Sequence, residues 1–153
     1  MCFYKTEESK VLVAKKDLKV YKIGSYANFK VFTSYFQKFT YFKSRIVTEE
    51  VKFTDRIEEG LHSFLSVKIS RYTPNQHEGW LRLLEVGTNS NFSHIINLNM
   101  TRAFLGEFII PNGATYCLNY NNEVVSDKLM YTGKYIQLTP YINLNAKELW
   151  KEK

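Results

Sequence analysis

Three histidines, His62, His77 and His94, are the side chains of this chain best suited to move a proton near neutral pH. A nucleophile–base set built on any of them needs a Ser, Cys or Asp to converge on the imidazole in space. His77 and His94 stand in polar, loop-like stretches and read as surface residues. His62 differs, because Gly60-Leu61-His62-Ser63-Phe64 places it between a strand break and the start of a helix, where side chains often line a pocket. A structural hydrogen bond is the simpler role for it there. Other chemistries are excluded by missing motifs. The chain has no G-x-x-x-x-G-K-S/T and no G-x-G-x-x-G phosphate loop, and no H-E-x-x-H or H-x-E with C-x-x-C zinc site. Its two cysteines, Cys2 and Cys117, cannot complete a structural zinc site of four Cys/His ligands.

A second stretch carries binding chemistry rather than catalysis. Seven aromatic residues fall in the fourteen positions from Phe29 to Phe42, interleaved with Lys30, Lys38 and Lys43. Aromatic rings alternating with cations stack bases and hold phosphates in single-strand binders. Strand alternation produces the same pattern with no ligand, when one sheet face packs in a core and lysines line the other; this is the simpler reading.

These candidates sit in a chain of 153 residues, the usual size of one domain. Aromatic residues make up 16%, including 11 Phe and 11 Tyr, and such residues suit pleated surfaces. The formal net charge is +6, and it is uneven: residues 1–75 hold 14 Lys/Arg against 8 Asp/Glu, whereas residues 76–153 hold 7 against 7. A basic half attracts phosphates or acidic surfaces. The start of the chain shows no apolar run after a basic cluster, so no signal peptide is expected. No run of 18 apolar residues exists, so no membrane helix is expected.

The elements that must position the candidates follow from periodicity. Lys16–Ile23 alternates polar and apolar and predicts a strand, with a turn at Gly24-Ser25. Residues 27–43 predict two strands, and Ile46–Phe53 another. Ser63 is a candidate N-cap for a helix over 63–72, Trp80–Val86 fits helix or buried strand, and 146–151 predicts a terminal helical turn. Phe104–Ile110 predicts a central strand ending at the turn Pro111-Asn112-Gly113, with Ala114–Asn119 as its hairpin partner. Lys128–Tyr131 and Tyr135–Leu138 predict the last strands.

Four segments, taken in order, carry a resemblance: Asp17-Leu18-Lys19-Val20-Tyr21-Lys22, Ile57 to Phe64, Glu107 to Tyr116, and Val125-Ser126-Asp127-Lys128-Leu129. They resemble an uncharacterised family of small phage, prophage and gut-bacterial proteins, over about a third of the chain and without the region 65–103. The same order is similar to a degenerate ADP-ribosyltransferase-like pattern. There Tyr21-Lys22 stands where that pattern has Arg or His, His62-Ser63-Phe64 stands near its middle motif, and Asp127 near its late acidic residue. The missing first-strand Arg or His implies a pocket that binds a nucleotide without turning it over.

The expectation is one α+β domain over 1–153, with 1–10 a loose N-terminus, built on a curved, mainly antiparallel sheet with few short helices. Its function reads as a phage-type or mobile-element accessory protein in the cytoplasm of a bacterial host. It would bind a host protein or a nucleotide-like ligand without catalysis, through Tyr21, Lys22, His62, Ser63 and Asp127. The alternatives are an ADP-ribosyltransferase-like enzyme acting on a nicotinamide dinucleotide, and a basic module that binds single-stranded nucleic acid. No cofactor or metal is expected.

Overall fold

The computed structural model describes residues 3–4, 10–34, 38–54, 56–57, 60–65, 67–71, 80–85, 92–97, 103–118, 123–138 and 144–145. Among these residues every regular element is a strand. They run β1 (Phe3–Tyr4), β2 (Val11–Val13), β3 (Leu18–Ala27), β4 (Val31–Ser34), β5 (Thr40–Phe42), β6 (Ile46–Thr48), β7 (Arg56–Ile57) and β8 (Leu61–Phe64). The second half adds β9 (Val67–Arg71), β10 (Trp80–Glu85), β11 (Phe92–Asn97), β12 (Phe104–Ile110), β13 (Thr115–Leu118), β14 (Glu123–Ser126), β15 (Lys128–Gln137) and β16 (Leu144–Asn145). The fold is therefore all-β among the described residues, which corrects the α+β expectation.

The helix expected from Ser63 fails for a periodic reason. Within the expected helix, Val67 and Ile69 alternate with Lys68 and Ser70, so this stretch has period 2. Two β-branched residues in alternation favour a strand over a helix. Strands β9, β10, β11 and β16 form an antiparallel four-stranded sheet in the order β11-β10-β9-β16. The terminal turn expected over 146–151 lies outside the described residues, as do Tyr35, Phe36 and His77.

The main sheet has ten strands in the order β2-β13-β14-β8-β3-β12-β15-β6, with β4 added to β3 and β5 to β4. The pairings in this sheet are antiparallel, as expected. Strand β12 is central, flanked by β3 and β15, and the turn after it forms: Ala114 donates its amide to the Pro111 carbonyl at 3.0 Å, and Gly113 takes φ +90°. The hairpin does not. The chain leaves the Pro111 turn for β13, which pairs with β14 and β2 instead. Strand β6 stops at Thr48, well short of Phe53, and the two expected C-terminal strands are one strand, β15. The N-terminal Phe3–Tyr4, expected to be loose, pairs with β7.

The expected turn at Gly24-Ser25 is also absent, and its cause shapes the whole core. Both residues lie inside β3, where the pairing with β4 shifts register. Gly24 is needed because the Phe32 ring lies flat on the backbone: a Cβ at Gly24 would stand 2.5 Å from Phe32 Cζ, and one at Gly106 on β12 would stand 2.4 Å from Phe32 Cε2. The β4–β5 hairpin then curls back toward β15. Ser44 donates its amide to the Tyr131 carbonyl at 2.9 Å, and the Tyr131 hydroxyl donates to the Asn28 carbonyl at 2.8 Å. Strands β3, β4, β5, β15 and β12 thus enclose a buried aromatic cluster of Phe32, Tyr41, Phe108 and Tyr131. Its ring centroids lie 4.9 Å (Phe32–Phe108), 5.0 Å (Tyr41–Phe108), 5.2 Å (Phe108–Tyr131) and 5.4 Å (Phe32–Tyr131) apart. The Phe32–Phe108 and Tyr41–Phe108 pairs meet edge to face, and such pairs contribute about 0.5–1.5 kcal/mol each beyond their burial.

Candidate functional site

The residues singled out in the sequence divide into a joined pair and three separate positions. Tyr21 and Lys22 are successive residues of an extended strand, so their side chains leave on opposite faces. Tyr21 is buried in register with Glu107 and with Phe64; burial first, and the Glu107 carboxylate second, raise its phenol above the ordinary range. Lys22 sits opposite Gly106, over the aromatic cluster, with its ammonium 5.5 Å from the centre of the Tyr41 ring. Its Nζ donates to the His62 carbonyl at 2.5 Å, tying β3 to β8. Burial draws this amine down to about 8, while Glu123 and Glu49 pull the other way.

The His62 ring faces Glu123, with Nδ1 3.3 Å from Oε1, in a diagonal contact between β8 and β14. Lys22 and His62 are thus brought together through the histidine's backbone rather than its ring. Ser63 lies in register with Val124, and its Oγ is buried with no hydrogen-bond partner among the described residues. Asp127 holds the β14–β15 turn: its Oδ1 accepts the Thr115 amide at 3.0 Å, and its carbonyl accepts the Glu49 amide at 2.8 Å. These contacts make Asp127 a structural residue. Among the described residues no three His, Cys, Asp or Glu side chains gather as a metal site would require. Cys117 is buried against Ile57 and Val125.

A different group of side chains meets where the turn 28–30, the turn 43–45 and the middle of β15 come together. Asn28 builds the first turn by accepting the amides of Lys30 (2.8 Å) and Val31 (2.9 Å) on its Oδ1. The Lys43 amide donates to the Lys30 carbonyl at 2.8 Å, which locks the two turns side by side. Gly133 closes the third side, since a Cβ there would stand 2.9 Å from both Lys43 Cδ and the Phe29 carbonyl oxygen.

This end of the fold leaves large aromatic rings in solvent. Phe29 is 60% exposed and Phe42 49%, and Tyr26 and Tyr135 are exposed nearby, flanking Phe104 at ring separations of 6.3 and 6.2 Å. Each Phe carries its own cation: Lys30 Nζ is 5.6 Å from the Phe29 centroid, and the Arg45 guanidinium carbon is 5.4 Å from that of Phe42. Segments 26–48 and 128–137 together hold six Lys/Arg and no Asp or Glu. The charged residues of these segments are therefore all basic, and most of their exposed large apolar side chains are aromatic.

The packing reading of the stretch 29–45 holds for some of its aromatic residues and not for others. Alternation sends Phe32 and Tyr41 into the core and turns Phe42 out from β5; Phe29 and Phe39 are exposed just outside the strands. Tyr26, from the end of β3, joins the same end, as do Lys134 and Tyr135, which no local pattern in the sequence connects to it because β15 is remote in the chain; Tyr131 and Asn28, which meet here, are 103 residues apart. No family model, curated protein or solved structure matches the chain.

Proposed function

We propose that the chain is a non-catalytic binding module whose ligand is single-stranded nucleic acid, held at the aromatic and basic end of the sheet. The observation that carries the reading is the exposed ring-and-cation pairing of Phe29 with Lys30 and of Phe42 with Arg45. A base stacks on the free face of a ring at about 1–3 kcal/mol, and it does so whatever its identity, because every base has a π-face. Lys30, Lys43, Arg45 and Lys134 are placed to neutralise the phosphates between stacked bases. No carboxylate from segments 26–48 or 128–137 opposes them. The expected preference is for single strands over duplex, with little sequence selectivity.

This makes specific the nucleotide-like ligand expected from the sequence, and a phage-type accessory role in a bacterial host belongs to the same proposal. In this account Lys22 and His62 join β3 to β8, beneath the binding surface rather than on it. The test is a fluorescence anisotropy titration with a labelled thymidine oligonucleotide of about 16 nucleotides, the upper end of a one-domain site. Binding at low salt is expected. No change in anisotropy with protein at about 100 μM, the weak end of non-specific affinity, overturns the proposal.

A further inference from the structure

We infer that a bulge in β15, Thr132-Gly133-Lys134, positions the cations of the nucleic-acid site, with Thr132 and Gly133 as its positioning residues, a role that rests on the single-strand reading. In the β12–β15 ladder Gly106 pairs with Tyr135 and Phe108 with Tyr131. Three residues of β15 therefore stand opposite Glu107 alone. Bulges bend a strand and re-aim its side chains, and they are over-represented next to active sites. This one lies where β15 meets the turns 28–30 and 43–45, which carry Phe29, Lys30, Lys43 and Arg45. An unbroken ladder would close the sheet with more main-chain hydrogen bonds. The bulge gives them up at the end where the exposed rings and cations gather.

A hydroxyl spans the bulge. Thr132 Oγ1 donates to the Glu107 carbonyl at 3.1 Å and accepts the Lys134 amide at 3.3 Å. One side-chain atom thus joins β15 to β12 and fixes the main chain of Lys134, whose side chain is exposed. Gly133, between the two, takes φ +91°. The Lys43 stem crosses its bare backbone: a Cβ at Gly133 would stand 2.9 Å from Lys43 Cδ and 3.0 Å from Cε, and 2.9 Å from the Phe29 carbonyl oxygen. A side chain there would push Lys43 and the Phe29 turn off β15 together. The Lys43 amide is bonded in turn to the Lys30 carbonyl. The bulge therefore sets the places of Lys30, Lys43 and Lys134, three of the four cations of the site, and of the Phe29 ring.

The experiment measures how binding of the labelled thymidine oligonucleotide to the full chain and its variants depends on salt, by anisotropy between about 50 and 200 mM. Thr132→Val keeps the β-branch and loses the hydroxyl. With Lys134 freed, the slope of log affinity against log salt is expected to flatten from roughly −3 to roughly −2, the loss of one phosphate contact. Thr132→Ser, which keeps the hydroxyl, is expected to keep the native slope. Lys134→Gln should flatten it as Thr132→Val does, and the two substitutions combined should flatten it no further. Gly133→Ala should weaken binding about tenfold or more, by moving Phe29 and Lys43 together. A merely structural role for Thr132 would move the urea denaturation midpoint and leave the slope of the folded protein alone. Given a native protein that binds, the positioning role is overturned by a native slope in folded Thr132→Val, by a serine variant that behaves as the valine does, by additive flattening with Lys134→Gln, or by native affinity in Gly133→Ala. Each of these leaves the single-strand reading standing, whereas absence of binding by the native protein overturns both.

Discussion

Arg45 carries its guanidinium 5.4 Å from the centre of the Phe42 ring, and both side chains face solvent. One residue earlier, Tyr41 is buried against Phe108. The two neighbours therefore differ: Tyr41 is held by packing, and Phe42 is the ring that the proposed function assigns to a base. Phe42→Ala is expected to weaken oligonucleotide binding by about 1–3 kcal/mol, the worth of one stacked base. Phe42→Trp should keep it. The chemical denaturation midpoint of Phe42→Ala should move by about 1 kcal/mol or less, as for other surface changes. Unchanged oligonucleotide affinity in a folded Phe42→Ala protein would remove this ring from the site.

The core depends on the absence of a side chain at Gly106. Gly106→Ala places a methyl group 2.4 Å from Phe32 Cε2, against a ring already enclosed by Phe108 and Tyr131. Overpacking of this kind costs about 1–3 kcal/mol. Pairing it with Phe32→Leu should recover part of that loss, because the smaller side chain vacates the face of the backbone. Urea denaturation of the single and double variants checks both statements, and additive losses would contradict the contact.

On β12 the bulky run Phe108-Ile109-Ile110 divides its load unevenly. Ile110 is fully buried in the main core, while Ile109 is partly exposed on the opposite face. Ile110→Ala is expected to cost about 2–5 kcal/mol by leaving a cavity, and Ile109→Ala distinctly less. Equal denaturation midpoints for the two variants would reverse this assignment of faces.

The Lys22 amine, held at about 8 by burial, gives the fold a pH signature. An unfolded lysine titrates near 10.4. Between these values the unfolded chain binds the extra proton, so this residue makes stability rise with pH from about 8 to about 10.4. Below about 8 the full cost of the buried charge is present. Lys22→Met removes the titration, so the stability of the native protein relative to this variant should climb as pH is raised through that window. A difference that stays flat with pH would show the ammonium to be solvated.

Strand content was legible in Lys16–Ile23, where polar and apolar residues alternate, and in Phe104–Ile110, whose bulky run Phe108-Ile109-Ile110 suits a strand covered on both faces. Helix was expected where a capping residue, Ser63, preceded apolar residues at mixed spacing; pairing of β8 with β14 overrode it. Gly24 reads as a turn because glycine usually breaks a strand, and its true reason, the ring of Phe32, is a tertiary contact no local window contains. The hairpin after Pro111 failed likewise, since the turn was right and the partner strand was chosen by the sheet. At the site, the aromatic and basic stretch could be located in the sequence. The division between Phe32 and Tyr41 inside and Phe29 and Phe42 outside needed the curl of the β4–β5 hairpin onto β15.

The most direct test of the central claim is the salt dependence of single-strand binding, measured by anisotropy between about 50 and 200 mM salt. Four cations, Lys30, Lys43, Arg45 and Lys134, predict a slope of log affinity against log salt of roughly −3, from about −0.7 per phosphate neutralised on a single strand. Lys43→Gln with Arg45→Gln should flatten that slope to roughly −1.4. A slope near zero in the native protein, or one that the double substitution leaves unchanged, would contradict the assignment of this end of the fold to nucleic acid.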